Sequence, residues 1–267
     1  MPNDVGRVGQ HRRPVAHPLP DPVANGDPLY KQVRAALVHG IESGEWKPGD
    51  MLPNERALAG RYGVGIATLR AAIGELAAMK VLVRRQGKGT YVCREDERRN
   101  VYQYFHLVRD DGVRELPIST LLYIKRARSD VATAEALGLP RSAASQWIYR
   151  LRNLLTVEGL PVVVSDIAVP AKLFPELTEE RIRAGGRTLY AVYQSLYGIN
   201  IVRTDEEIRA VRCDPASARL LQLRAGEPVL QVRRLAQTFR QVPVEVRTSI
   251  MRTTDYHFAL SQGGTGA

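Results

Sequence analysis

The chain has 267 residues, of which 44% are hydrophobic and 25% charged, and its formal net charge is +10. This composition is typical of a soluble globular protein, and the length allows two domains. The excess of positive charge favours an acidic partner such as nucleic acid, although charge alone specifies only the sign of the field.

Several classes of protein are disfavoured by the same sequence. The two cysteines, Cys93 and Cys213, lie too far apart to form a CxxC ligand pair and provide no disulfide framework, so we expect a reducing cytoplasm. No apolar run approaches the length of a membrane span, and no signal peptide is visible. We therefore expect neither a membrane partner nor a metal or cofactor.

The first segments in chain order are a tail and a helix. Residues 1–27 are rich in proline, glycine and polar residues, so we predict that they are disordered. Asp27 is a good N-cap residue, and Pro28 suits the first turn of a helix. The helix that follows has an apolar stripe at helical spacing: Leu29, Val33, Ala36, Leu37 and Ile41.

Two shorter helices are predicted next. Asn54 is placed to cap a helix over ERALAGRYG, and Gly63 ends it. A third helix runs from about Ile66 to Met79, and Leu69, Ile73 and Leu76 form its inner stripe. Thr68 and Arg70 fall largely outside that stripe, on the side away from the predicted core.

After Lys80 the apolar period changes to that of strands. Val81 to Val83 lead into Arg84 and Arg85, a Gln86–Gly89 turn follows, and the chain returns through Thr90 to Val92. Three helices followed by a basic hairpin predict a winged helix-turn-helix. In that arrangement the third helix enters the major groove of DNA, and Arg84, Arg85 and Lys88 contact phosphates.

Residues 28–92 resemble the DNA-binding domain of the GntR family of bacterial regulators. The motifs are PLYKQVRAALVHGIESGEWKPGDMLPNERALAGRYGV, TLRAAIGELAAMKVL and GKGTYV, in that order. The resemblance implies a homodimer that reads a short palindrome in double-stranded DNA. It also implies DNA contacts from Arg56 and Arg70, a phosphate contact from Thr68, and a wing tip at Gly87 that approaches the minor groove.

Two observations qualify these assignments. Arg56 alone could be a solvated charge, and Arg70 could pair with Glu75 or a neighbouring turn. Family members often carry a hydroxyl residue and an arginine at the start of the third helix, where this chain has Gly65 and Ile66, followed by Ala67. Because isoleucine and alanine offer only apolar contact, we predict a relaxed or altered base preference there.

The rest of the chain differs from the first part because most of its predicted elements are strands. Residues 93–103 are predicted to be a linker, and 104–258 form a second domain followed by a disordered tail at 259–267. Strands are predicted at 117–128, 145–157, 160–169, 199–211, 227–239 and 242–251, and helices at 129–139, 187–198 and 214–223. Strands joined by hairpins with separate helices predict an α+β fold with an antiparallel sheet, one face of which is solvated.

This half resembles the UTRA ligand-sensing domain of the HutC-like subfamily, which has a chorismate-lyase-like fold. The residues that carry the resemblance are WIYRLRNLLTVEGLPVVVSDIAVP, LYAVYQSLYGINIVRTDEEIRA, ARLLQLRAGEPVLQVRR and VPVEVRTSIMRTTDY. The resemblance implies effector binding and dimerisation by residues 104–258.

The candidate effector ligands start from two arginines on one strand. Arg150 and Arg152 are two residues apart, so both project from the same face, where a shared anion such as a carboxylate or phosphate would offset their repulsion. The resemblance adds further matching positions: Ser165, Asp166, Arg203, Glu207, Glu245 and Tyr256. The alternative is a ladder of charges that pair across strands.

Together these features predict a sequence-specific transcriptional repressor whose operator binding is controlled by a small anionic metabolite. Two alternatives remain at this stage: a ligand-independent architectural DNA-binding protein, and a lyase-like enzyme. An enzyme is disfavoured because no paired-carboxylate site, activated nucleophile or metal cluster can be assembled from the sequence.

Overall fold

The computed structural model of the chain describes residues 27–95, 104–112, 115–140 and 146–259. Of the predicted tails, only Asp27 and Ala259 are among these residues, and of the predicted linker only 93–95 are. The domain boundaries proposed above therefore stay predictions. Within the described residues, no helix is both long enough and apolar enough to cross a bilayer.

The N-terminal head consists of three helices and a hairpin, as predicted. The elements are α1 (Leu29–Glu42), α2 (Glu55–Tyr62), α3 (Ile66–Ala78), β1 (Leu82–Arg85) and β2 (Gly89–Val92). The hairpin is antiparallel, with Leu82 opposite Val92 and Arg85 opposite Gly89. Gly87 at its tip has a φ of 68°, in the left-handed region that glycine adopts at little cost.

Local sequence explains where the helices begin and end. The side chain of Asn54 accepts a hydrogen bond of 2.8 Å from the backbone N–H of Ala57, which caps α2. Gly63 ends the same helix with a φ of 64°. In α3, Leu69 and Leu76 are fully buried, so the predicted inner stripe is confirmed.

The start of α1 differs from the prediction. Pro28, rather than Asp27, occupies the N-cap position, and no side chain caps the helix because proline has no side-chain acceptor. Leu29, expected in the apolar stripe, is 41% exposed, and the buried stripe begins at Val33.

The second domain is built on one antiparallel sheet. Its strands are β4 (Ile118–Arg128), β5 (Trp147–Val157), β6 (Leu160–Pro170), β7 (Arg203–Arg212), β8 (Pro228–Gln237) and β9 (Pro243–Met251), in the order β4-β5-β6-β9-β8-β7. The predicted strands all form. A separate pair, β3 (Leu107–Arg109) and β10 (Tyr256–Phe258), was not predicted as strands.

Helices cover both faces of this sheet, whereas we expected one face to be solvated. One face packs against α5 (Glu179–Gly185) and α6 (Leu189–Tyr197), with Phe174 and Tyr193 at the centre of the core. The opposite face carries α4 (Val131–Ala136) at one end and α7 (Pro215–Leu221) at the other. Helix α5 has no clear apolar period in the sequence, because only Ile182 of its seven residues is buried.

Two hairpin turns join neighbouring strands of the sheet, β5 to β6 and β8 to β9. Glu158 and Gly159 join β5 to β6 with φ values of 50° and 80°, as in a type I′ turn. Between β8 and β9, Arg240 and Gln241 also have positive φ, after Phe239. The Phe239 side chain is buried in the same apolar cluster as the core of the head, so this hairpin of the sheet packs against the head.

Candidate nucleic-acid interface and ligand cavity

The first turn of α2, the outer side of α3 and the wing form one basic face, which we define by Arg56, Arg70, Arg84, Arg85 and Lys88. The Arg70 side chain is 63% exposed. The wing lies beside α3, since Nη2 of Arg84 donates a hydrogen bond of 3.3 Å to the backbone carbonyl oxygen of Arg70. The structure thus brings together cations that are fourteen residues apart in the chain.

The remaining members of the face are also exposed. Arg56 lies in the first turn of α2, and Lys88 lies at the wing tip beside Gly87. Arg85 is stacked over the ring of Tyr91, with 4.6 Å between the guanidinium carbon and the ring centroid. Thr68, the predicted phosphate contact, is only half-buried and lies two residues before Arg70 on α3.

Arg70 has a partner within the head, although not the one considered above. Its Nε donates a hydrogen bond of 2.7 Å to Glu55, at the start of α2. Glu75 instead pairs with Arg34 of α1. An exposed pair of this kind is weak in water, so a DNA phosphate or guanine edge can replace Glu55 at small cost.

The start of α3 has the apolar character that the sequence predicted. Gly65 occupies the N-cap position without a side-chain hydrogen bond, and Ile66 is 40% exposed. An exposed isoleucine at this position can contact thymine methyl groups but cannot donate a hydrogen bond to a base. An altered base preference there stays a prediction.

The second domain contains a cavity between the sheet and the start of α6. Its volume is about 90 Å³, and it adjoins a groove of about 600 Å³ that runs along β4. The cavity is lined by side chains from the linker, four strands, α6 and the segments just before β3, β4 and α6: Glu95, Tyr104, Phe105, Pro117, Ser119, Asn153, Leu155, Arg187, Thr188, Leu189, Tyr190, Arg234 and Arg247.

A buried ion pair forms the floor of this cavity. Glu245 is 0% exposed and accepts hydrogen bonds of 2.8 and 3.0 Å from Arg247. The hydroxyl groups of Tyr190 and Tyr193 donate to the same carboxylate at 3.1 and 2.7 Å. Burial opposes ionisation, but the Arg247 charge and these hydrogen bonds outweigh it, so the pKa of Glu245 is lowered. Arg247 therefore stays charged, but the carboxylate of Glu245 balances its charge.

Arg234, the neighbouring arginine, is also paired. Its Nε donates to Glu206 at 2.5 Å, and its Nη2 donates to the backbone carbonyl oxygen of Tyr104 at 2.6 Å. The Tyr104 ring packs edge-on against Tyr190, with 4.8 Å between centroids. Arg234 thus holds the segment that enters from the linker against the sheet.

Glu95 differs from the other carboxylates in the cavity. Glu95 is only 8% exposed. Among the described residues, its carboxylate has no hydrogen-bond or ion-pair partner. Burial raises the pKa of Glu95 to about 7, and the charge of Lys80 only partly opposes that shift. A buried carboxylate without a partner is costly, so its position in a cavity suggests that it serves a ligand.

We expect Glu95→Gln to stabilise the protein above neutral pH. Because the pKa of Glu95 is raised on folding, the carboxylate destabilises the fold increasingly as pH rises from about 4.5 to about 7. The glutamine variant should exceed the wild type by up to about 3 kcal/mol in free energy of unfolding at about pH 8, and by little at about pH 5.

Urea unfolding of both proteins at the two pH values measures this difference. Tyr104 and the cavity arginines also face Glu95, but they are common to both proteins and cancel in the comparison. Equal stability at about pH 8 would contradict a buried, unpartnered carboxylate.

None of the eight predicted effector ligands lines this cavity. Arg150 and Arg152 do share one face of β5, as expected, but it is the face opposite to Asn153 and Leu155, which line the cavity. Arg150 pairs with Asp130, and Arg152 pairs with Asp166 at 2.9 Å. The assumed convergence on a free anion is therefore replaced by ion pairs, as in the alternative of a charge ladder.

The other predicted ligands are equally engaged elsewhere. Arg203 pairs with Asp205 at 2.8 Å, and Glu207 lies 3.8 Å from Arg209, both at the exposed edge strand β7. Ser165 shares a hydrogen bond of 2.8 Å with Ser249, and Tyr256 lies in a separate apolar cluster. Glu245 reaches the cavity only through Arg247 and Tyr190. A role of these residues in effector binding stays a prediction that no contact in the cavity supports.

The sequence did contain a signal for some of the cavity residues that were missed. Asn153 follows Arg152 on β5 and therefore lies on the opposite face of the strand. Assigning the ligand site to the Arg152 face excluded Asn153 from the predicted ligands. Arg187 and Thr188 precede α6 as a charged residue and an N-cap, and Thr188 accepts a hydrogen bond from the N–H of Ala191 at 3.1 Å. No local pattern identifies Glu95 or Arg234, because their surroundings come from distant parts of the chain. Arg247 lies only two residues from its partner Glu245 on β9, so that pair was visible in the sequence.

Comparison with family models finds two matches in the order of the two halves. Residues 29–92 match the model described as bacterial regulatory proteins of the gntR family. Residues 114–257, more than half of the chain, match the UTRA domain.

Curated proteins and solved structures give a consistent result. The chain is 27% identical over 219 residues to the histidine utilization repressor of Pseudomonas putida, covering 80% of this chain and 84% of that protein. It is 26% identical to the mannosyl-D-glycerate transport/metabolism system repressor MngR of Escherichia coli, covering 87% and 95%. A ligand-binding domain of a GntR-family regulator from Bordetella bronchiseptica matches with a TM-score of 0.55 and 33% identity, covering 60% of this chain and 97% of that one.

Proposed function

Because the chain belongs to the GntR family of bacterial regulatory proteins and carries a UTRA domain, we propose that it is a repressor whose operator binding is controlled by a small anionic effector. The observation that carries this proposal is the continuity of the basic face across α3 and the wing, through the contact of Arg84 with Arg70. The relatives named as repressors support the direction of control.

On DNA, α3 would lie in the major groove and the wing would follow the neighbouring backbone. Arg70 and Arg56 are the candidates for base contacts, because a guanidinium can donate two hydrogen bonds to one guanine edge. Thr68, Arg84, Arg85 and Lys88 would contact phosphates, and Gly87 lets the wing tip approach the minor groove. The GntR match supports this arrangement.

Reading a palindrome requires two heads, so the proposed state is a homodimer in the cytoplasm. The edge strand β4 supports self-association, since it presents Ile118, Leu122 and Tyr123 as exposed apolar side chains, with Ile118 68% exposed. Uncovered edge strands with apolar residues are usually covered by a partner. Two heads bound one helical turn apart would read the two half-sites.

The effector would bind in the cavity beside α6 rather than at Arg150 and Arg152. Asn153, Ser119 and Thr188 offer neutral hydrogen bonds, and Arg187 offers a positive charge at the mouth. A cavity that combines apolar walls with several placed polar and charged groups is typical of small-molecule sites.

We expect Lys88→Ala to weaken binding to all duplexes alike and to reduce the salt dependence of binding. A lost phosphate contact lowers the slope of log K against log salt by roughly one unit. Fluorescence anisotropy with labelled duplexes from the protein's own promoter, over a series of salt concentrations, measures the slope. Lys172→Ala removes an equal charge from the sheet domain and should leave the slope unchanged.

Three results would refute the proposed function. Absence of duplex binding at low salt would exclude a DNA-binding repressor. In a thermal-shift screen with small acids, stabilisation without turnover of the acid supports a sensor, whereas turnover would support the lyase-like enzyme. Duplex binding that no acid affects would support an architectural protein.

A further inference from the structure

Some of the charged side chains that line the cavity have ion-pair partners, and others do not within the described residues. Arg247 and Arg234 are each paired with a carboxylate, Glu245 and Glu206, at 2.8 and 2.5 Å. Both arginines therefore carry little unbalanced charge into the cavity. A ligand that relied on them alone would have to compete with two preformed ion pairs.

Among the described residues that line the cavity, two charged groups remain available to a ligand. Glu95 is nine-tenths buried and has no hydrogen-bond or ion-pair partner in the described parts of the chain. Arg187 is exposed, and within those parts it too has no ion-pair partner. One group is negative and the other positive, so a ligand that satisfies both must carry complementary charges at two points.

The two groups lie at different depths. Arg187 lines both the cavity and the outer groove, together with Ser119, Asn153 and Thr188. Glu95 lines only the inner cavity of about 90 Å³. A ligand that enters through the groove would therefore leave its anionic end at Arg187 and extend its other end toward Glu95.

We propose, on the basis of the function inferred above, that the effector is an amine-bearing anion whose ammonium group binds Glu95 while its carboxylate or phosphate binds Arg187. A purely anionic ligand would bring negative charge toward a buried carboxylate, which is unfavourable unless Glu95 takes up a proton. An ammonium group instead supplies the charge partner and the hydrogen-bond donors that the described residues do not provide for Glu95.

The position of Glu95 also connects this contact to the head. It lies three residues after the end of β2, and its backbone N–H donates to the side chain of Gln194 on α6 at 3.0 Å. Gln194 in turn donates to the carbonyl oxygen of Cys93 at 2.9 Å. The same residue that would recognise the ligand thus belongs to the segment that leaves the DNA-binding head.

Two matched pairs of probes test the proposal on the full-length protein. 2-Aminoethyl phosphate is compared with ethyl phosphate, and 4-aminobutyrate with butyrate, by calorimetric titration at a pH above 7. We expect the amine-bearing member of at least one pair to bind at least about tenfold more tightly than its partner. The pair that shows this preference identifies phosphate or carboxylate as the anionic group.

Variants separate recognition by Glu95 from general effects. Glu95→Gln, which is expected to fold because it removes a buried charge, should abolish the preference for the amine. Glu176→Gln removes an equal charge from an exposed position outside the cavity and should retain it. Arg187→Gln should weaken both members of the bound pair equally.

Three outcomes would overturn the proposed ligand class: no binding of any probe, equal binding within both pairs, or a preference that survives in Glu95→Gln. Duplex binding by the same preparation, measured without any probe, distinguishes this failure from that of the repressor function. A protein that binds duplex but none of the probes is a DNA-binding protein with a different effector class or none.

Discussion

Replacing Glu245 with alanine is expected to lower the free energy of unfolding of the sheet domain by about 3–5 kcal/mol. The substitution leaves Arg247 buried with an uncompensated charge and removes the acceptor of two tyrosine hydroxyl groups. Losing one partner of a buried pair costs far more than the pair contributes, because the remaining ion stays desolvated.

The chain offers its own reporter and control for this measurement. Its two tryptophans are Trp46 in the head and Trp147 at the start of β5, so a Trp46→Phe background leaves a single fluorophore in the sheet. Urea unfolding followed at Trp147 then reports on the sheet domain. Glu207→Ala, at an exposed pair of 3.8 Å, should cost less than about 1 kcal/mol. Similar losses in both variants would contradict the role assigned to the buried pair.

Replacing Arg70 with alanine is expected to weaken binding to a selected operator by about 1–3 kcal/mol, or roughly 5- to 150-fold in Kd. The loss should be larger on the operator than on an unrelated duplex, because a base contact carries sequence information and a phosphate contact does not. The cost of separating Arg70 from Glu55 is small, since that pair is exposed.

The operator for this test is selected from random duplexes with the wild-type protein, and anisotropy gives Kd for each variant. Arg183→Ala is the matched control, because Arg183 is an exposed arginine on α5 whose pair with Glu179 lies four residues away on the same helix. It should leave both affinities unchanged. An equal loss on operator and unrelated duplex for Arg70→Ala would make Arg70 a phosphate contact instead.

Most of the head could be predicted from the sequence because its determinants are local. The cap at Asn54, the left-handed turn at Gly63 and the apolar period of α3 each depend on residues within one or two turns of the chain. The wing was equally readable, since strand-forming residues flank a glycine turn. The error at Asp27 and Leu29 arose at a helix end, where one residue of shift changes both the cap and the first exposed side chain.

The strands of the second domain were also predictable, but the face that each side chain occupies was not. Helices cover both faces of the sheet, so alternation along β5 identifies two faces without indicating which of them borders a cavity. From the sequence alone, Arg150 and Arg152 could therefore not be assigned to the face that borders the cavity or to the opposite one. Only the register of β5 with β6, and the packing of α6 over Asn153, separate the two.

The sequence by itself determined most of the secondary structure, the order of the two halves and the basic character of α3 and the wing, because those follow from residues close together in the chain. The exceptions are β3, β10 and α5. The tertiary structure alone decided which charges remain unsatisfied. Arg247 is paired with Glu245, and Arg234 is paired with Glu206 on the neighbouring strand. Glu95 lies beside Tyr104 and has no ion-pair partner within the part of the chain that the structure describes. The electrostatic state of a buried group depends on the atoms that surround it. For Arg234 and Glu95 those atoms come from distant parts of the chain, whereas Glu245 and Arg247 are only two residues apart.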